Sequence, residues 1–150
     1  MEEKNVEIPF YDWALGDWVI FANGYGLEIG VTLQVGGLLV SGATTSGADF
    51  LENLGESLSE GATQAGEKFA VMSETFKNMY HEQAQKLYPK IAPEESDSSE
   101  EKQSTSEPAF IHLKNATIWA DSQCSPIQVK YWRGKLGSVD GWFIGTMAKT

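Results

Sequence analysis

The sequence predicts an α+β fold: a small antiparallel five-stranded sheet or partly open barrel, preceded by a helix and interrupted by a long amphipathic helical insertion. Three observations predict it. Leu27, Ile29, Val31, Leu33 and Val35 alternate with Glu28, Gly30, Thr32 and Gln34, and after Gly36-Gly37 "LLVSGATT" returns as a second strand, the pattern of a β-hairpin. From Ser46 the apolar period changes to three-and-four spacing and keeps it as far as Met79, the pattern of an amphipathic helix. Beyond residue 107 the chain returns to short runs of strand composition, "AFIHLKNATIWA", "IQVKYWRGKLGSV" and "WFIGTM". A length of 150 residues suits one domain with a real core.

The first helix is expected over residues 9–24. Pro9 suits a first turn, and Asn23-Gly24 supplies a left-handed stop. Phe10, Trp13, Ala14, Trp18 and Phe21 share one side, a face expected to plug the core, with a docking face as the alternative. The hairpin then occupies residues 26–45. Gly24, Gly26 and Gly30 do not form a dinucleotide motif, because their loop follows a helix and opens a strand.

The insertion covers residues 46–88 and opens on Ser46 with Asp49 three residues on, a capping-box spacing. Gly55, Gly61 and Gly66 each cost a helix interior about 1 kcal/mol relative to alanine, so either two helices or one helix with a weak point near Gly61–Gly66 is expected. Pro89 ends the segment. Its apolar stripe either packs on the sheet or serves self-association, for which Leu51, Leu54, Leu58, Phe69, Met72 and Phe76 are the candidates. Residues 89–107 are rich in Ser, Glu and Pro. They hold too little apolar surface to offset the entropy of ordering, and a disordered acidic loop is expected.

Residues 108–150 read as a three-stranded antiparallel segment, with Asp140-Gly141 as a hairpin turn. Period two puts Trp132, Gly134 and Leu136 on the inner face and Tyr131, Arg133 and Lys135 on the outer one. In the preceding strand His112 and Lys114 are expected outward, opposite Ile111 and Leu113.

The net charge of −10 excludes general nucleic-acid binding, which depends on neutralising phosphates. The single Cys124 excludes an internal disulfide and fits a reducing cytoplasm. The acidic start "MEEKNVEIPF" is not expected to act as a signal peptide, and no apolar run is long enough for membrane insertion. Catalytic patterns are missing. His81-Glu82 has Gln85 where a zinc motif needs its second histidine, and Cys124 has no nearby histidine, so neither an enzyme nor a cofactor is expected. Arg133, the sole arginine, sits beside Trp132 and can grip a carboxylate or stack on a ring; an internal ion pair is the bland alternative. With Lys135, Lys114 and His112 it forms the candidate partner-binding set.

Three blocks, "LQVGGLLVSGATTSGADFLENL", "FIHLKNATIW" and "YWRGKLGSVDGWFIG", together resemble the gas vesicle accessory protein family GvpU. The matching positions are Ser41, Gly42, His112, Leu113, Lys114, Asn115, Trp132, Arg133, Gly134, Lys135, Asp140 and Gly141. Trp142 stands where that pattern has phenylalanine directly after "DG". The resemblance implies a non-enzymatic cytoplasmic protein, at or near gas vesicles, that assists their assembly or clustering. Its implied partners are gas vesicle structural proteins and further copies of itself. The order of a helix followed by five strands is also reminiscent of Sm- and SH3-like barrels. A competing reading is a small barrel that binds a ligand or peptide through Trp132, Arg133 and Trp142.

Overall fold

The computed structural model describes residues 10–91, 108–121 and 123–147. The expected helix start at Pro9 lies outside them, as does most of the expected acidic loop, residues 92–107. In chain order the described residues form α1 (Trp13–Tyr25), β1 (Gly30–Val35), β2 (Leu38–Thr45), α2 (Gly47–Gln64), the four-residue α3 (Glu67–Ala70), α4 (Ser73–Leu87), β3 (Phe110–Trp119), β4 (Ile127–Lys135) and β5 (Gly141–Ile144). The five strands make one antiparallel sheet in the order β4-β3-β2-β1-β5, which does not close.

The first two strands pair as expected, from Val35 against Leu38 to Gly30 against Ala43. Gly36 takes a φ of 59°, which the tight turn requires. Beyond the turn, register slips between β2 and β3: Asn115 and Ala116 together oppose Gly42. Asn115 absorbs this bulge at a φ of 50°. A side chain on Gly42 would stand 3.0 Å from the Lys114 carbonyl oxygen and 3.1 Å from the Ala116 Cα, so the bulge needs glycine there.

The last two strands do not form the expected hairpin. β4 pairs with β3, whereas a 3-10 turn over Leu136–Ser138 carries the chain across to β5, which pairs with β1 at the other edge. Asp140-Gly141 is therefore not a strand-reversing turn. The Asp140 carboxylate accepts from the Gly36 backbone N–H at 2.9 Å, and the Asp140 N–H donates to the Gln34 carbonyl at 2.8 Å. Local turn chemistry is spent on docking β5 against the β1–β2 hairpin.

One face of the sheet carries the core: Val31, Leu33, Val40, Ile111, Leu113, Ala116 and Leu136, closed over by Leu15 and Val19 of α1. The core-facing side of α1 is thus Leu15, Val19 and Ala22, not the tryptophan side that spacing singled out; Trp13 and Phe21 are exposed. This helix is apolar nearly all round, so periodicity cannot choose its inner face. The smaller Leu15, Val19 and Ala22 are the side chains that pack against the sheet. The helix also runs past Asn23-Gly24 and stops at Gly26, φ 71°, leaving the Asn23 amide to accept from the Gly47 N–H at 2.8 Å.

The insertion folds as a helical hairpin. Ser46 caps α2, its Oγ accepting from the Asp49 N–H at 3.0 Å. The chain breaks at Gly66, φ 119°, within the expected region, and α4 returns antiparallel to α2. Gly55 allows the close approach: a Cβ there would lie 3.0 Å from Tyr80 Cβ. At its base the hairpin covers the second face of the sheet, where Phe50 and Tyr88 stack against His112.

Candidate functional surfaces

The hairpin base and its far end differ in burial. Leu51 is buried and belongs to the fold, so it is unavailable for self-association; Leu54 and Phe76 are half-buried within the hairpin. Towards the far end, Leu58, Phe69, Val71 and Met72 are exposed, Phe69 to 47% and Val71 to 79%, and Met79, midway along α4, is exposed as well. The polar contact between Ser59 Oγ and Ser73 Oγ holds the two helices together there. The sequence stripe runs through both regions, buried at the base of the hairpin and exposed beyond it. Val71, the most exposed of these tip residues, was missed because it falls in the break between α3 and α4, off the helical period.

The second candidate set lies on β3 and β4. His112 is interior, 1% exposed, and not on a solvent face. Sequence alternation failed because both faces of β3 are covered: Ile111 and Leu113 look into the core, and His112 looks into the hairpin base. Its ring lies 5.0 Å from the Phe50 ring and 5.7 Å from the Tyr88 ring, centroid to centroid. Among the described residues neither ring nitrogen has a hydrogen-bond partner. Burial, reinforced by the positive Arg133, lowers its pKa to about 4, so it is a neutral aromatic filler at neutral pH.

Arg133 is exposed on the register position facing His112. Its guanidinium lies 3.9 Å above the Phe110 ring centroid, and no ion pair to it is found among the described residues. Stacking rather than a salt bridge positions it. Lys135 is exposed beside a concavity of about 370 Å³ lined by Phe10, Tyr11 and Phe110. Lys114 is already paired with Glu28. Of the four expected partner-binding residues, Arg133 and Lys135 are exposed and without an ion pair among the described residues.

Trp132, Arg133 and Trp142 do not make one surface. Trp132 folds inward over Gly134, where any Cβ would collide with its ring, and Arg133 points to the other face. Trp142 sits on β5 at the opposite edge and donates its Nε1–H to Asp12 at 3.2 Å. That bond holds the Asp12 carboxyl below its ordinary pKa, helped by the Leu15 and Ala14 backbone N–H groups that Asp12 caps.

A cavity of about 710 Å³ opens between the hairpin base and the sheet, with Glu28, Asp49, Glu52, Tyr88, Lys114 and Tyr131 among its walls. Its carboxylates are already engaged. Asp49 accepts from Thr45 at 2.7 Å and from the Tyr131 hydroxyl at 3.0 Å, Glu52 meets His81 Nδ1 at 2.9 Å, and Glu28 holds Lys114. Burial and the Asp49 contact push the Tyr131 hydroxyl up to about 12, which makes it a neutral donor. No group of three or more His, Cys, Asp or Glu side chains able to hold a metal occurs among the described residues. Nor is any described helix long and apolar enough to cross a membrane.

These features define an α+β protein with an open five-stranded sheet, an aromatic first helix and a helical hairpin covering the sheet's second face. The family model described as gas vesicle protein GvpU-like matches residues 12–147, and the chain belongs to that family. No match was found among curated proteins or solved structures.

Proposed function

We propose that this chain is a non-enzymatic accessory protein that assists gas vesicle assembly or clustering in the cytoplasm, by self-association and by contact with gas vesicle structural proteins. The observation that carries the reading is the exposed apolar end of the α2–α4 hairpin, where Leu58, Phe69, Val71 and Met72 stand uncovered on an element whose base is anchored to the sheet. Uncovered apolar groups gathered on one projecting element mark an interaction site. A second copy offers the same groups, and two such ends can cover one another with closed symmetry. Membership of the gas vesicle family supplies the setting.

The test is light scattering across a concentration series, with Phe69→Ser/Val71→Ser beside the wild type. Wild type should form oligomers and the double variant should shift to monomer, with an unchanged melting temperature because both positions are exposed. A wild type that stays monomeric at high concentration, or a variant that associates as wild type does, overturns the reading.

A further inference from the structure

The open sheet ends on two strands with a single neighbour each, and the two edges differ in length and charge. Strand β5 has four residues and no charged side chain. Strand β4, at the other edge, has nine residues, with Lys130, Arg133 and Lys135 and no acid. All three cations are exposed, and none has an ion pair among the described residues. Glu56 of α2 acts on Tyr131 from the hairpin side, whereas Asp49 is held by the Tyr131 hydroxyl and Glu28 by Lys114. Described side chains alone therefore leave this edge net positive.

The ladder shows which backbone groups of β4 face outward. The Leu136 N–H donates to the Ala109 carbonyl at 2.9 Å, and the same register sets Gly134 against Ile111 and Trp132 against Leu113. Hydrogen-bonded pairs alternate along an antiparallel ladder. Gly134 and Trp132 thus turn their N–H and C=O groups to β3, while Tyr131, Arg133 and Lys135 turn theirs away from it. No described strand or loop backbone bonds to those outward groups. Open ladder positions and two of the cations fall on the same residues, Arg133 and Lys135, two apart on one face.

We propose that the β4 edge accepts an extended acidic segment of a partner protein as a sixth strand. Main-chain hydrogen bonds to Arg133 and Lys135 hold the segment, and its carboxylates, at every second position, lie beside the two cations. Strand-forming residues such as valine occupy the positions between them. A second copy of this chain does not offer such a strand, because none of the five strands carries an acid. Two β4 edges laid together would set like charges opposite one another. The same cations close the edge to self-pairing and open it to an acidic strand. The proposal deepens the contact with vesicle proteins proposed above, and rests on that reading only for where the partner is found.

The test uses the full chain and three end-blocked peptides of about eight residues. One alternates glutamate and valine, one alternates lysine and valine, and the third is the glutamate peptide with every backbone nitrogen methylated. Calorimetry should show saturable binding of the first alone. Hydrogen exchange on the wild type should show the Arg133 and Lys135 amides slowed by the glutamate peptide, with those of α1 unchanged. Arg133→Glu/Lys135→Glu should weaken the glutamate peptide about 10-fold or more and admit the lysine peptide. Raising salt to about 0.5 M should weaken wild-type binding several-fold. Equal binding of the methylated peptide would mean charge attraction without strand addition, and overturns the proposal. So does a glutamate peptide that does not bind, protection that falls outside β4, or unchanged binding in a folded double variant. Hydrogen exchange on the wild type decides the matter if the double variant fails to fold. Wild-type oligomers that dissociate in the double variant would give the edge to a second copy. Glutamate-peptide binding that tightens about 10-fold when a Gly-Ser linker replaces residues 92–107 would give it to the chain's own acidic segment. Either result overturns the proposal. Phe69→Ser/Val71→Ser should bind the glutamate peptide as wild type does, so failure of self-association and failure of this site are read separately.

Discussion

His112 shows how a family motif position can be structural. It stands between Phe50 and Tyr88, with Arg133 adding positive charge nearby. The folded protein holds it neutral down to a pKa of about 4, while the unfolded chain takes its proton near 6.5. Its contribution to stability is therefore complete above pH 6.5 and lost as pH falls towards 4, by about 3 kcal/mol at the lower end. Urea unfolding at pH 7, 5.5 and 4.5 should show a steeper loss in wild type than in His112→Leu. Parallel curves would mean that the ring is not held neutral. The neighbouring motif residues divide similarly. Gly134 makes room for the Trp132 ring, Asp140 pins β5 to the Gly36 turn, and Gly42 admits the bulge at Asn115. Arg133 and Lys135 are motif residues that the fold leaves outward, Arg133 stacked on Phe110.

Element by element, the sequence was readable wherever pattern and local chemistry agree. The Gly36-Gly37 turn, the Ser46 cap and the break at Gly66 all rest on backbone or capping requirements confined to a few residues. The inner face of α1 was not readable, because apolar residues occupy nearly every side and only packing against the sheet decides among them. That choice predicts a contrast in chemical denaturation. Leu15→Ala should cost about 2–5 kcal/mol through lost burial and the cavity left behind, whereas Trp13→Ala should change stability by no more than about 0.5 kcal/mol. The reverse order would place the tryptophan side inward after all. The far end of the hairpin was partly readable. Its residues follow the stripe, but spacing cannot tell where the sheet beneath the hairpin ends.

At the scale of the molecule, the misread feature is the destination of the last strand. Asp140-Gly141 has local turn chemistry, yet the neighbours of β4 and β5 are chosen by the two ends of an open sheet and not by the short link between them. The Thr32 hydroxyl donates to the Gly145 carbonyl at 2.9 Å, and the Met147 N–H donates to Ser41 Oγ at 2.7 Å. Strand β1 meets its outer partner only in the final residues described, across a sequence separation of 113 between Thr32 and Gly145. Such distant pairing makes folding slow, because a long loop must close before its contacts are gained. During synthesis the amino-terminal hairpin and α1 emerge first, but Leu136 and β5 arrive last, and a nascent chain lacking them has neither its full core nor its final edge. A chain ending at Ser138 should therefore give no cooperative unfolding transition in calorimetry, while the full chain gives one; a cooperative transition in the shortened chain would show that β5 is an accessory. The acidic stretches and the uncovered aromatics of α1 are all made before that last strand. Throughout synthesis the unfinished chain exposes apolar surface, and its net negative charge is expected to oppose association of neighbouring nascent copies until β5 is in place.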